Sequence, residues 1–117
     1  MDTKMKILKR HFKGQIDTRK DLPPYPSIGD AYRIGYYDWP ESMIERVTWT
    51  KDGWRKTDDV FNEYRNYVYD TIMAKAKEMT DEQRFELFVR SLIYLSIDAI
   101  AYAYNDVFKE DSNEHFL

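Results

Sequence analysis

No cysteine occurs among the 117 residues, which excludes a disulfide framework, a thiol nucleophile and any thiolate metal site. Histidine is nearly as scarce. His11 and His115 lie at opposite ends, so no histidine-based metal cluster is expected. No apolar run approaches the roughly 18 residues of a membrane span, so no membrane contact is expected. The opening Met1-Asp2-Thr3-Lys4-Met5-Lys6 lacks the apolar core of a signal peptide. There is no Gly-x-Ser-x-Gly elbow, P-loop, dinucleotide fingerprint or His-Glu-x-x-His pair. The expectation is therefore a chain without catalytic residues, cofactor or metal, and not an enzyme. What is abundant is aromatic: ten Tyr, six Phe and three Trp. With 43% hydrophobic and 33% charged residues, the composition is that of one folded domain, or one domain with an arm.

The net charge of −3 hides a gradient. Residues 1–20 carry +5, residues 21–57 carry −1 and residues 58–117 carry −7. A basic arm on an acidic body can meet nucleic acid or an acidic protein surface. It can equally lie on the acidic half of its own chain or of a neighbouring copy. Lys6-Ile7-Leu8-Lys9 favours the latter, because its apolar residues call for burial. Nucleic acid is not expected as a partner, since no zinc-finger spacing, basic zipper or RNA-binding aromatic signature is present.

The two halves predict different architectures, giving an α+β chain with a small antiparallel sheet followed by a two-helix antiparallel hairpin. Three prolines in Asp21-Leu22-Pro23-Pro24-Tyr25-Pro26 exclude a helix there. Ser27-Ile28-Gly29-Asp30 is turn chemistry, and Tyr32, Ile34 and Tyr36 alternate as in a strand. Asp38-Trp39-Pro40-Glu41-Ser42 interrupts it, Arg46–Thr50 resumes a strand, and Asp52-Gly53 predicts a hairpin flanked by Trp49 and Trp54. From Thr57 onward glycine and proline vanish, as long helices require. Val60, Phe61, Tyr64, Val68, Ile72 and Met79 form one face of the first helix. Thr80-Asp81-Glu82-Gln83 fits a capping box. A second helix is then expected to run to about Lys109, with Phe85, Phe88, Leu92, Leu95, Ala99, Tyr102 or Ala103, and Val107 facing inward. The domain plan is an arm over 1–20, a β-module over 21–56, helices over 57–110 and a frayed tail over 111–117.

Between Ser91 and Tyr104 nearly every position is apolar or aromatic, with Asp98 the single charge. Such a helix needs cover on several sides. Either a neighbouring subunit or another protein covers it, through Leu92, Leu95, Asp98, Ile100 and Tyr102, or the β-half wraps it. Asp98 in that setting has the look of a catalytic acid. The commoner use is a hydrogen bond to Tyr or Arg, with Tyr94 and Tyr102 four residues away, or the specification of register in an assembly.

Phe12-Lys13-Gly14-Gln15-Ile16, Leu22-Pro23, Gly29-Asp30-Ala31-Tyr32-Arg33-Ile34 and the hairpin Val47–Trp54 occur in an order that resembles a short β-module of tailed-bacteriophage virion proteins of the fibre, tail or head-decoration type. In that module an aromatic-Lys-Gly strand leads to Leu-Pro, then Gly-Asp-x-Tyr-x-Val, then a Trp-containing hairpin. The resemblance covers about residues 12–56. The insert over 38–45 and the helices lie outside the pattern. It implies a structural role: a virion assembly or attachment part, present in several copies, located in the particle and partnered by itself and other virion proteins. On this reading Gly29, Asp30, Asp52 and Gly53 make turns, and Tyr32, Trp49 and Trp54 make an aromatic cluster in place of an aliphatic core. Tyr36, Tyr37 and Trp39 are either scaffold or a contact platform for sugar or protein. The alternative function is a small phage-encoded inhibitor that binds a host or defence protein through an acidic helical surface.

Overall fold

Strands form where β-branched and aromatic residues alternate: β1 (His11–Ile16), β2 (Asp30–Ile34), β3 (Glu45–Thr50) and β4 (Gly53–Lys56). They make one sheet of order β1-β2-β3-β4 in the computed structural model, which describes residues 5–93, 96–108 and 115–117. β2, β3 and β4 pair antiparallel, as expected. β1 differs, because it runs parallel to β2 and the sheet is mixed. The linker explains this, since parallel neighbours need a crossover of roughly a dozen residues. Residues 17–29 supply one, with a 3-10 turn at Arg19–Asp21 and the three prolines keeping the return path extended. At its first corner the Thr18 amide donates to the Asp21 carboxylate at 3.2 Å.

The helical half begins at Thr57 with α1 (Thr57–Ala76), whose first turn carries Asp58 and Asp59 where the helix dipole favours acids. Val60, Tyr64, Val68 and the following Met79 are buried, as the periodicity required. The capping box at Thr80 is present in both directions. The Thr80 amide donates to Gln83 Oε1 at 2.9 Å, and the Gln83 amide donates to Thr80 Oγ at 3.1 Å.

The single second helix expected beyond this point is instead two, α2 (Asp81–Ile93) and α3 (Ile97–Val107). Ser96 caps α3, its hydroxyl accepting from the Ala99 amide at 3.2 Å. A serine here offers the backbone a capped start in place of a continued helix. The helices that pack as a pair are α2 and α3. The expected inner stripe holds in α3 at Ala103 and Val107, which are buried, and fails in α2. Phe85 and Phe88 are 69% and 60% exposed, and Leu87 is the buried residue of that turn. On α3 the inward residues are Ala101, Ala103, Tyr104, Asn105 and Val107. The proposed helix end at Lys109 lies outside the described residues.

Contacts divide the chain into a sheet unit, residues 9–62, and a helical unit built from residues 1–8 and 63–116. The basic arm is thus not one element. Met5, Ile7 and Leu8 belong to the core of the helical unit, while Lys6 between them stays exposed. Asn105 on α3 grips this strap twice, accepting from the Met5 amide at 2.9 Å and donating to its carbonyl at 3.1 Å. The cover that α3 needed therefore includes residues 5–8. The expectation of a frayed end also fails where the end is described. His115 bridges to Ile7, the Phe116 amide donates to the Ile7 carbonyl at 3.0 Å, and the Phe116 ring meets Tyr64 and Tyr67 at 5.2 and 5.3 Å. An aromatic side chain has enough apolar surface to hold a chain end down. Residues 109–114 lie outside the described set.

Fully buried Tyr64 makes this unit sensitive to alkali. Loss of hydration raises its phenol above the ordinary tyrosine value, the charge of Asp98 adds to the rise, and the Leu8 backbone offsets part of it. A raised folded pKa means the unfolded phenol loses its proton first. The associated stability is complete below about pH 10 and is lost as pH rises above it. Urea midpoints of the helical signal should fall through this alkaline range, and Tyr64→Phe should flatten the fall by one proton's worth. An equal slope in both chains would refute the assignment.

Candidate functional site

The expected aromatic cluster is assembled on the sheet. Register places Trp49 directly opposite Trp54, and their rings meet at 5.2 Å with an interplanar angle of 61°. Tyr32 reaches Trp54 edge-on at 5.8 Å and 74°. Edge-to-face contacts of this kind add roughly 0.5–1.5 kcal/mol each beyond burial. Val47, wholly buried, lies opposite Tyr32. A sheet with so few aliphatic residues is thus held by three rings from β2, β3 and β4.

The turns behave as their residue types dictate. At the first, the Asp30 carboxylate accepts from the Ser27 amide and the Asp30 amide donates to the Ser27 carbonyl, both at 3.0 Å. Gly29 has φ +96°, a left-handed value that favours glycine. At the hairpin the two loop residues are Lys51 and Asp52, and Gly53 opens β4 at φ +100° rather than sitting inside the loop. Thr50 Oγ ties this corner, donating to the Gly53 carbonyl at 2.9 Å and accepting from the Asp52 amide at 3.1 Å.

The insert after β2 displays Tyr36, Tyr37 and Trp39. Tyr36 and Trp39 brace each other edge-on at 5.0 Å, whereas Tyr37 is 96% exposed. A 3-10 turn at Glu41–Met43 completes it and delivers Glu41 to the sheet. There Arg33 and Arg46, paired across β2 and β3, share the Glu41 carboxylate: Arg33 Nη2 donates to one oxygen, and Arg46 Nη2 lies 3.2 Å from the other. The hydrogen bond from Arg33 holds the Glu41 carboxyl below its ordinary value, with Arg46 assisting. The insert thereby neutralises half of a cross-strand like-charge pair that would otherwise repel.

Of the residues expected at a subunit or partner interface, Leu95 and the side chain of Leu92 lie outside the described residues, as does Tyr94. Ile100 is half-buried and Tyr102 is 54% exposed. Asp98 is half-buried, one of its carboxylate oxygens is sealed from solvent, and its charge acts on Tyr64. Its surroundings therefore include a tyrosine of its own unit. Phe85 and Phe88 join Tyr102 as exposed apolar residues of this unit, contrary to their expected inward position.

Two features were not anticipated from the residues alone. The Arg33–Glu41–Arg46 group needed the strand register to be visible. Asn105 carried a weak signal, as the polar residue that directly follows the apolar run Ala101-Tyr102-Ala103-Tyr104 of α3. Among the described residues no group of three or more His, Asp or Glu side chains converges as a metal site would. Comparison with protein-family models, with curated proteins and with solved structures returns no match for this chain.

Proposed function

We propose that the chain is a non-enzymatic structural or assembly part of a tailed-bacteriophage virion, acting as an oligomeric adaptor or fibre-associated component. The observation that carries the reading is the Tyr32–Trp54–Trp49 staple, set behind the Gly29-Asp30 turn in the order of the phage module it resembles. A small sheet locked by three rings is a rigid mount, suited to holding position in a particle rather than to turnover. The helical unit supplies the surface for assembly. Phe85 and Phe88, one turn apart on α2, and Tyr102 on α3 are large apolar side chains left in water, the kind of surface that interfaces cover. Its partners on this reading are further copies and other virion proteins.

Sedimentation velocity of the full chain over a broad concentration range tests the proposal. An oligomer that weakens when Phe85 and Phe88 are both changed to Ser is the expected result, with the helical spectrum retained. A chain that stays monomeric throughout, and captures a host protein with steep salt dependence, would replace this reading with the inhibitor one.

A further inference from the structure

One face of the sheet carries a groove of about 740 Å³, within the usual range of ligand sites (roughly 300–1,000 Å³). Arg10, Phe12, Arg33, Arg46, Asp58 and Phe61 line it, all within the sheet unit. Register explains its shape. Phe12 pairs with Ala31 and Ala31 with Thr48, so the smallest side chain of the row sits between β1 and β3 and leaves a trough. Two residues further along β2, on the same face, Arg33 lies opposite Arg46.

The charge and the rings in this trough ask for a particular ligand. Two guanidinium groups share one Glu41 carboxylate, so that group keeps a net positive charge. Arg10 adds a third guanidinium, positioned over the Phe61 ring at 5.4 Å from its centroid, and Asp58 a second carboxylate, so three cations face two anions across the groove. Phe12 is 66% exposed on the same face, a flat π-surface beside the cations. A planar ring next to paired guanidinium groups matches a ligand with a planar base next to a phosphate. An acidic peptide matches less well, because its carboxylate side chains have nothing to stack on the open Phe12 ring.

We infer that this groove binds a nucleotide unit, with the base stacked on Phe12 and the phosphate held by Arg33 and Arg46. The inference goes beyond the virion reading and does not depend on copy number. It also revises the expectation that nucleic acid is no partner. That expectation rested on motif signatures, whereas the groove is created by strand pairing.

Fluorescence anisotropy of the full chain with a fluorescein-labelled oligothymidylate at low salt tests it, with thymidine monophosphate and polyglutamate as competitors. Saturable binding is expected, weakened about tenfold or more by Phe12→Ala, as loss of one stacking contact requires. Arg46→Gln should weaken it and reduce the salt dependence by about one phosphate contact. Both side chains are exposed enough for the variants to keep the wild-type circular dichroism. If the mononucleotide displaces the oligomer at equal nucleotide concentration, the source is a free nucleotide. If only longer oligomers compete, it is a single strand. Absence of saturable binding, unchanged affinity in a folded Phe12→Ala chain, or displacement by polyglutamate as effective as by nucleotide would overturn the inference.

Discussion

A Gly29→Ala chain is expected to lose about 3 kcal/mol of stability in its sheet unit. Two effects combine. The residue holds φ +96°, and a Cβ added there would stand 2.7 Å from the Lys9 carbonyl oxygen, which is backbone and cannot swing aside. Nor can residue 29 itself retreat. Its carbonyl accepts from the His11 amide at 2.8 Å and its amide donates to the Trp49 carbonyl at 2.9 Å, so it is tied to β1 and to β3. All three tryptophans lie in this unit, and their fluorescence in a urea titration reports its unfolding selectively. Gly53→Ala is the control. It shares the positive φ, but the nearest atom to its added Cβ is 4.0 Å away, so only the backbone strain of about 1–2 kcal/mol remains. Equal losses in the two variants would show that crowding at Lys9 contributes nothing.

Asn105→Ala is expected to cost a similar amount, about 3 kcal/mol, in the helical unit instead. The side chain is buried and satisfies both the amide and the carbonyl of Met5. Its removal leaves two backbone groups without these partners, each worth roughly 1–3 kcal/mol when buried. The effect should appear in the helical circular dichroism and leave the tryptophan transition nearly unchanged. A chain lacking residues 1–8 should show the same defect, because it removes Met5, Ile7 and Leu8 from that core as well. An Asn105→Ala midpoint within error of the parent would mean that the strap is held by its apolar residues alone.

Local chemistry was legible in the residues wherever a short stretch decides the outcome. The Thr80 capping box, the Asp30 turn and the Trp49–Trp54 hairpin each depend on neighbours a few positions apart. What depends on distant pairing was not. Nothing in His11–Ile16 distinguishes a parallel from an antiparallel neighbour, since that is decided by the path of residues 17–29. The start of α3 at Ser96 was hidden because no glycine or proline marks it, and the cap is a lone serine hydroxyl in an apolar run. In α2, before that point, Phe85 and Phe88 face outward and Leu87 inward, a choice set by what the helix packs on rather than by its own periodicity. Asn105 reads in isolation as one polar residue in an apolar helix, and its purpose appears only when Met5, a hundred residues earlier, is seen against it. The groove of Arg10, Phe12, Arg33 and Arg46 is invisible for the same reason.

The aromatic excess thus serves different ends in the two units. Tyr32, Trp49 and Trp54 hold the sheet, Tyr64, Tyr67 and Phe116 pack in the helical unit, and Phe85, Phe88 and Tyr102 remain outside. The third set gives the assembly reading its surface. Mass spectrometry of density-purified particles, prepared from cultures that naturally produce this chain, tests that reading most directly. Peptides of this chain are expected in the particle fraction at constant stoichiometry to the major structural proteins. Their presence in the soluble lysate with none in the particles would contradict it.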